Sequence, residues 1–330
     1  MMSTKMVFWS KMPEAWMAEV RELEIEVCEV TDEAEAMQEI VDADAYYGRM
    51  SPELLAAAKK VRWIQATSAG LDNYFFPELR AHSAEVTNMR GIYSDVIAEH
   101  VFAFLLTLSR GMQIYHRRQL EGRWAPQGVD VVHVAGKTIG VLGLGGIGLA
   151  VAKRAAAFGM RVLAVDPAPK GTLDYMEQVY PPQDLEKVLS ESDCFVVCVP
   201  HTSETDRLID ARALAVMKKT AFFINIGRGK VVDLAALTSA LQAGNLAGAA
   251  LDVFEEEPLA EGHPLWSMEN VIVTPHVAAY SDEIEPRRYR MIVENVRRFC
   301  AGEQLLNVVD KQVGYVVKKN DSDVFDHSLK

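Results

Sequence analysis

The feature that most constrains this chain is the stretch Lys137-Thr138-Ile139-Gly140-Val141-Leu142-Gly143-Leu144-Gly145-Gly146-Ile147-Gly148. An apolar run of β type meets G-x-G-x-x-G, an Ala-rich amphipathic segment continues to Phe158, and a second apolar run, Arg161 to Val165, stops at Asp166. That order of strand, glycine turn, helix and acid-capped strand describes a dinucleotide-binding βαβ unit. Each residue has a mechanical task. Gly143 permits the tight turn off the strand, Gly145 lacks the Cβ that would keep a pyrophosphate from the backbone, and Gly148 lets the helix pack closely. Gly146 and Ile147 stand at the helix N-terminus, whose unpaired N–H groups and dipole favour phosphate. Asp166 is close to the spacing of about 20 residues at which an acid accepts from the ribose hydroxyls. Its charge would repel a 2′-phosphate, so the sequence predicts NAD (NADH) as cofactor, with NADP the lesser candidate.

At 330 residues the chain is long enough for two domains. Apolar residues make up 49% and charged ones 24%, which excludes wholesale disorder. A formal charge of −12 argues against nucleic acid or an anionic membrane surface as partner. An anionic substrate must then be met by a local cation. The four cysteines, Cys28, Cys194, Cys198 and Cys300, have no metal-like spacing, and Cys194 and Cys198 lie in or beside an apolar run, so burial explains them and no metal site is expected. Met1 to Trp16 has no apolar run of signal-peptide length, and Val101 to Leu108 is too short to span a bilayer. A cytoplasmic protein is the expectation.

Apolar runs at Val7–Trp9, Ile25–Val30, Ala43–Tyr47, Val61–Ala66 and Glu85–Asn88 alternate with helix-like stretches, one starting at Thr31 and one at Ser51-Pro52. Such alternation predicts a parallel, doubly wound sheet. A single long helix is read over Asp95–Arg123. Beyond the glycine-rich unit come strand-like runs at Cys194–Val199, Ala221–Ile226, Gly248–Val253 and Val271–Thr274, completing six parallel strands. The fold class is therefore α/β, with two doubly wound parallel-sheet domains. The polar tail Lys318–Lys330 reads as frayed. In the first domain the turn Ser68-Ala69-Gly70 follows a strand directly, and small residues there leave backbone N–H groups open to a carboxylate.

Three polar residues stand at strand ends in the second half. Arg228, between glycines in Asn225-Ile226-Gly227-Arg228-Gly229, would grip a 2-oxo acid with a planar fork and so supplies the required cation. His276, after Thr274-Pro275, has the chemistry to donate a proton as a carbonyl becomes an alkoxide. Glu257, in Glu255-Glu256-Glu257-Pro258, can pair with that imidazole, fix its tautomer and stabilise its charge. Tyr46, Tyr47, Met89, Trp124 and Tyr280 are read, from loop position, as pocket-lining side chains with room for an apolar or aromatic substrate group.

With these motifs in order, the chain resembles the D-isomer-specific 2-hydroxyacid dehydrogenase family. The matching residues are Gly143–Gly148, Val199-Pro200-His201-Thr202, Asn225–Gly229, Ala249–Leu259 and Thr274–Ala278, and more weakly Ser68-Ala69-Gly70 and Ala98-Glu99-His100. The resemblance implies a catalytic trio of Arg228, Glu257 and His276. It implies dinucleotide contacts from Asp166, Val199, Pro200, Thr205, Ile226, Asp252 and Ala278, and substrate contacts from Ser68, Ala69, Gly70, Arg228 and His276. It also implies a discontinuous flavodoxin-like substrate domain, residues 1–94 and 290–330, a Rossmann domain, residues 95–289, a cleft between them that closes on substrate, and a homodimer through the long helix. Glu257 stands where formate dehydrogenases of this family carry Gln, which counts against formate. The expected activity is that of an NAD-dependent D-2-hydroxyacid dehydrogenase working mainly as a 2-oxo acid reductase. The alternative is an NAD(H)-sensing, corepressor-like binding protein with little turnover.

Overall fold

Short apolar runs buried on both faces build two parallel sheets, and they organise the computed structural model, which describes residues 4–9, 11–23, 25–72, 74–168 and 173–316. The tail Lys318–Lys330 lies outside the described residues. Two compact units divide the chain: Met1–Ile92 with Asp282–Lys330, and Tyr93–Ser281. The second crossing falls just before the helix Ile284–Ala301, not within it at about residue 290. The buried face of that helix is continuous from Ile284 through Met291 and Ile292 to Val296, so it stays with one core.

The first unit holds β1 (Thr4–Trp9), β2 (Ile25–Val30), β3 (Ala45–Tyr47), β4 (Trp63–Gln65) and β5 (Glu85–Thr87) in the order β2-β1-β3-β4-β5, every pair parallel. This is the flavodoxin-like order. Two of its helix starts follow side-chain chemistry. Ser51 accepts from Leu54 N at 3.2 Å ahead of Pro52, as the Ser-Pro pair predicts. The helix Glu33–Glu39 is capped by Asp32, which accepts from Glu35 N at 2.9 Å, one residue past the expected start at Thr31. Glu35 returns the contact by accepting from Thr31 N at 2.9 Å. The helix Ile284–Ala301 is tied to this sheet by Asn295, whose amide donates to Gln65 Oε1 at 3.1 Å, and by Phe299, whose ring lies 5.3 Å from that of Trp63. Tyr46, Tyr47 and Met89, expected to line a pocket, are core residues of this unit. Tyr46 and Met89 have no exposed surface and Tyr47 has 3%, because inward positions of these strands and of the loop after β5 are filled by the largest apolar side chains.

The second unit holds β6 (Thr138–Leu142), β7 (Arg161–Val165), β8 (Gln178–Tyr180), β9 (Cys194–Val197), β10 (Phe222–Asn225), β11 (Gly248–Leu251) and β12 (Val271–Val273). The order β12-β11-β10-β9-β6-β7-β8 reverses between β6 and β9, as in the dinucleotide-binding fold. Seven strands stand where six were expected. The addition, β8, is a three-residue edge strand followed by two prolines, too short to register as a period in the sequence. The expected single helix Asp95–Arg123 is two: Ser94–Arg110 and Met112–Leu120, separated at Gly111 with φ +63°. A left-handed residue ends an α-helix, and a Cβ on Gly111 would fall 2.1 Å from Val129 Cγ1, so the break is built into the packing. The first of these helices buries Ile97, Val101, Phe104, Leu105 and Leu108, whereas the second buries no residue. No helix among the described residues is long and apolar enough to cross a membrane.

Candidate active site

At the reversal between β6 and β9, the chain leaves β6 through Gly143, whose φ of +91° carries the tight turn. A Cβ on Gly148 would lie 1.9 Å from the carbonyl oxygen of Gly143, so the helix Gly146–Ala157 can start this close to the turn only without a side chain there. A Cβ on Gly145 would meet nothing within 4 Å, and the space beside that backbone is open. The helix has no side-chain cap at Gly145, leaving its first-turn N–H groups to an incoming anion. At the end of β7, Asp166 accepts from Leu144 N at 2.7 Å and from Ala168 N at 2.9 Å, one bond to each oxygen. A carboxylate offers about four lone-pair positions, so acceptor capacity remains for hydroxyls. These residues fit a dinucleotide.

The loops after β9 and β10 are held from within. Thr205 Oγ1 donates to Pro200 O at 2.7 Å and accepts from Thr202 N at 2.8 Å, clamping the loop that follows Val199. Val199 packs over the glycine turn, where a Cβ on Gly143 would come 2.7 Å from its Cγ1. Ile226 is buried at the end of β10 and its N–H donates to Val197 O at 3.3 Å. Asn225 spans the turn that presents Arg228: its Oδ1 accepts from Gly227 N at 3.0 Å and its Nδ2 donates to Arg228 O at 3.1 Å. Gly229 sits so close to Phe254 that a Cβ would lie 1.8 Å from that residue's carbonyl carbon. The guanidinium of Arg228 donates from Nη1 to Gly227 O at 2.7 Å, which orients its plane.

His276 and Glu257 are brought together. His276 Nδ1 lies 2.8 Å from Glu257 Oε2, and Glu257 Oε1 accepts from Phe254 N at 3.0 Å, so the carboxylate is itself fixed. The imidazole is about half exposed, 51%, and does not enter the packed interior. Its backbone is left-handed, φ +55°. For a residue with a Cβ that costs on the order of 1–3 kcal/mol, so neighbouring bonds must over-determine the turn. Asp252, 1% exposed at the end of β11, does so: its backbone oxygen accepts from His276 N at 2.8 Å, Oδ1 from Val277 N at 2.9 Å and Oδ2 from Ala278 N at 2.9 Å. Both carboxylate oxygens of Asp252 thus support the His276 turn, a role the sequence did not suggest.

A family model described as "D-isomer specific 2-hydroxyacid dehydrogenase, NAD binding domain" matches residues 102–278. The chain belongs to the D-isomer-specific 2-hydroxyacid dehydrogenase family. A glyoxylate reductase of Korarchaeum cryptofilum is 38% identical over 286 residues, covering 84% of this chain and 86% of that one. Among solved structures, a D-isomer-specific 2-hydroxyacid dehydrogenase from Xanthobacter autotrophicus Py2, in complex with NADPH and MES, is similar with a TM-score of 0.80 and 33% identity, covering 95% of this chain and 100% of that one. The NADPH-dependent glyoxylate/hydroxypyruvate reductase SmGhrA of Sinorhizobium meliloti, in complex with NADP and sulfate, is similar at a TM-score of 0.81 with 27% identity, covering 94% of this chain and 100% of that one.

As a member of this family the chain is an oxidoreductase with a nicotinamide-dinucleotide-binding Rossmann domain. Its other sequence-selected positions are distributed as follows. Ser68, Ala69 and Gly70 form a turn after β4 in the first unit, where Ser68 Oγ donates to Gly70 O at 2.8 Å and Asn88 Nδ2 donates to Ala69 O at 2.7 Å. Trp124 and Tyr280, expected to line a pocket, are 99% and 78% exposed. The loops that carry them leave these rings in solvent, and Trp124 borders an open surface hollow with Tyr115, Arg118 and Arg123. Cys194 is buried in β9, and burial raises the pKa of its thiol, as that of a core residue. Among the described residues no group of three or more His, Cys, Asp and Glu side chains is placed to hold a metal ion.

Proposed function

We propose that this chain is an NAD-dependent D-2-hydroxyacid dehydrogenase that works mainly as a 2-oxo acid reductase, with His276 as its acid/base. The observation that carries this reading is the 2.8 Å contact of His276 Nδ1 with a fixed Glu257 carboxylate beside a half-exposed imidazole. With Nδ1–H given to Glu257, Nε2 is the nitrogen left to face a substrate oxygen. The reduced nicotinamide supplies, when bound, a hydride for the carbonyl carbon. His276 donates its proton to the oxygen on which charge develops, and Glu257 offsets the charge of the imidazolium beforehand. Arg228, oriented by Gly227 O and presented by Asn225, grips the substrate carboxylate and polarises the carbonyl. The amides of the Ser68-Ala69-Gly70 turn are proposed as further carboxylate donors.

Gly143, Gly145, Gly146, Ile147 and Gly148 would hold the pyrophosphate, and Val199, Pro200, Thr205, Ile226, Asp252 and Ala278 the remainder of the dinucleotide. Asp166 supports NAD over NADP, because a 2′-phosphate would be brought against its carboxylate. Five of the similar structures hold NADPH or NADP, so this preference rests on Asp166 alone. The substrate is a small 2-oxo acid. Glyoxylate is the first to test, since glyoxylate reductases are among the relatives that the chain is similar to.

The test is NADH oxidation, followed by absorbance, with a panel from glyoxylate through pyruvate and 2-oxoisocaproate to phenylpyruvate. His276→Ala should lower kcat by roughly 10²–10⁴-fold, the usual contribution of a positioned acid/base. Unchanged turnover would remove the proton-donor role. A wild-type chain that binds NADH but reduces none of these acids would instead be the dinucleotide sensor of the alternative reading.

A further inference from the structure

His100, on the helix Ser94–Arg110, has no part in the reaction as proposed, yet its Nε2 lies 3.2 Å from Thr274 Oγ1. That hydroxyl donates to Asp252 Oδ1 at 2.5 Å. A hydroxyl has one proton. Since the proton of Thr274 goes to Asp252 Oδ1, its oxygen can only accept from His100, so His100 must carry its proton on Nε2. The direction of the chain is thereby set: His100 donates to Thr274, Thr274 donates to Asp252, and Asp252 receives the amides of His276, Val277 and Ala278. On its other side the His100 ring meets Phe104 edge-on, with centroids 4.3 Å apart, which limits rotation.

We infer that His100 and Thr274 form a positioning relay that, through Asp252, holds the left-handed turn on which His276 sits. The inference rests on the reading of His276 as the acid/base. Without the relay Asp252 keeps its backbone donors but loses the anchor that ties its carboxylate to a helix of the unit's core. The turn at His276 then relaxes toward ordinary φ and carries the imidazole with it. Burial lowers the pKa of His100, with the Asp252 charge 3.9 Å away opposing this; the donor–acceptor order is set by the Thr274 hydroxyl.

The experiment pairs variants that remove the bond with variants that keep it. Thr274→Val and His100→Phe should each lower kcat roughly ten-fold or more, since a shift of about 1 Å in a reacting group can cost about 100-fold, while NADH affinity by fluorescence titration, which draws on Asp252 and Ala278 of the same turn but also on the distant glycine loop, falls by less than kcat does. Thr274→Ser and His100→Gln, which retain the hydroxyl and an N–H donor, should recover most of the loss. The double variant His100→Phe/Thr274→Val should be no slower than the worse single one, because one chain is cut twice. Nitrogen-15 NMR of histidine-labelled protein should find His100 protonated at Nε2, with that proton exchanging faster in Thr274→Val. Full kcat in the two disruptive variants, additive losses in the double variant, or an Nδ1–H tautomer would each overturn the relay. Failure of the wild type to turn over 2-oxo acids would sink the functional reading, while the NMR result would still decide the relay's geometry.

Discussion

The Asp252→Asn substitution tests how the active loop is held, and its cost can be worked from the bonds. The carboxylate is 1% exposed and accepts from Thr274 Oγ1, Val277 N and Ala278 N. The amide is the same size but has one acceptor and one donor end. Its best orientation keeps the oxygen toward Thr274 and Val277, which places its NH₂ against the N–H of Ala278. One bond to a charged group is lost, worth about 1.5–3 kcal/mol, and a buried donor is left unpaired at a further cost of about 1–3 kcal/mol. The reverse orientation opposes the Val277 N–H and turns the Thr274 hydroxyl from a donor into an acceptor, so it also loses bonds. Taking about 2.5 kcal/mol as the lower bound, the Tm of a unit of this size falls by about 5–10 °C. Because the lost bond belongs to the turn carrying His276, kcat should fall by about ten-fold or more, as expected when a reacting group is misplaced. Differential scanning fluorimetry and steady-state NADH oxidation measure the two effects on the same preparation. An Asp252→Asn protein with wild-type Tm and wild-type kcat would refute the claim that this carboxylate holds the turn.

Three further outcomes are expected. Gly148→Ala puts a Cβ 1.9 Å from the backbone oxygen of Gly143, which no rotamer relieves; NADH affinity should fall at least ten-fold, with a stability loss of about 1–3 kcal/mol, as fluorescence titration and thermal unfolding would record. Asp166→Ala removes the charge opposed to a 2′-phosphate but also the acceptor for Leu144 N at 2.7 Å, so both cofactors should bind less well while the NADH-to-NADPH ratio of kcat/KM drops; an unchanged ratio would dismiss Asp166 as the discriminator. His100 and His82 are both held below the ordinary histidine pKa, chiefly by burial, so in mild acid the unfolded chain binds protons that the folded chain does not. Their contribution to stability is therefore full above the unfolded value of about 6.5 and is lost as pH falls through the depressed folded values. Tm measured from pH 8 to 5 should decline over the acid half, and His100→Gln should flatten the slope; a steeper slope in that variant would reverse the sign argument.

The sequence by itself determined the second unit's centre. Strand, glycine turn, helix and Asp166 are contiguous, and each step depends on local chemistry: a missing Cβ, an apolar period, an acid at a strand end. The alternation of strands and helices likewise predicted two parallel sheets, because parallel neighbours require a crossover between them. What tertiary structure decided lies where distant segments meet. Gly111 ends the long helix with a left-handed backbone, at a place where Val129, from a later segment, leaves no room for a Cβ. The edge strand Gln178–Tyr180 has β7 as its partner, a pairing between segments that the local sequence of three residues does not encode. Tyr46 and Met89 vanish into the core because inward and outward positions of short, fully buried strands and their loops look alike in a sequence. The pairing of His276 with Glu257 was legible from residue types, but the turn that aims the imidazole was not. Its φ of +55° is imposed by Asp252 from another strand, and a side chain committed to backbone N–H groups leaves no periodic trace in the chain that carries it.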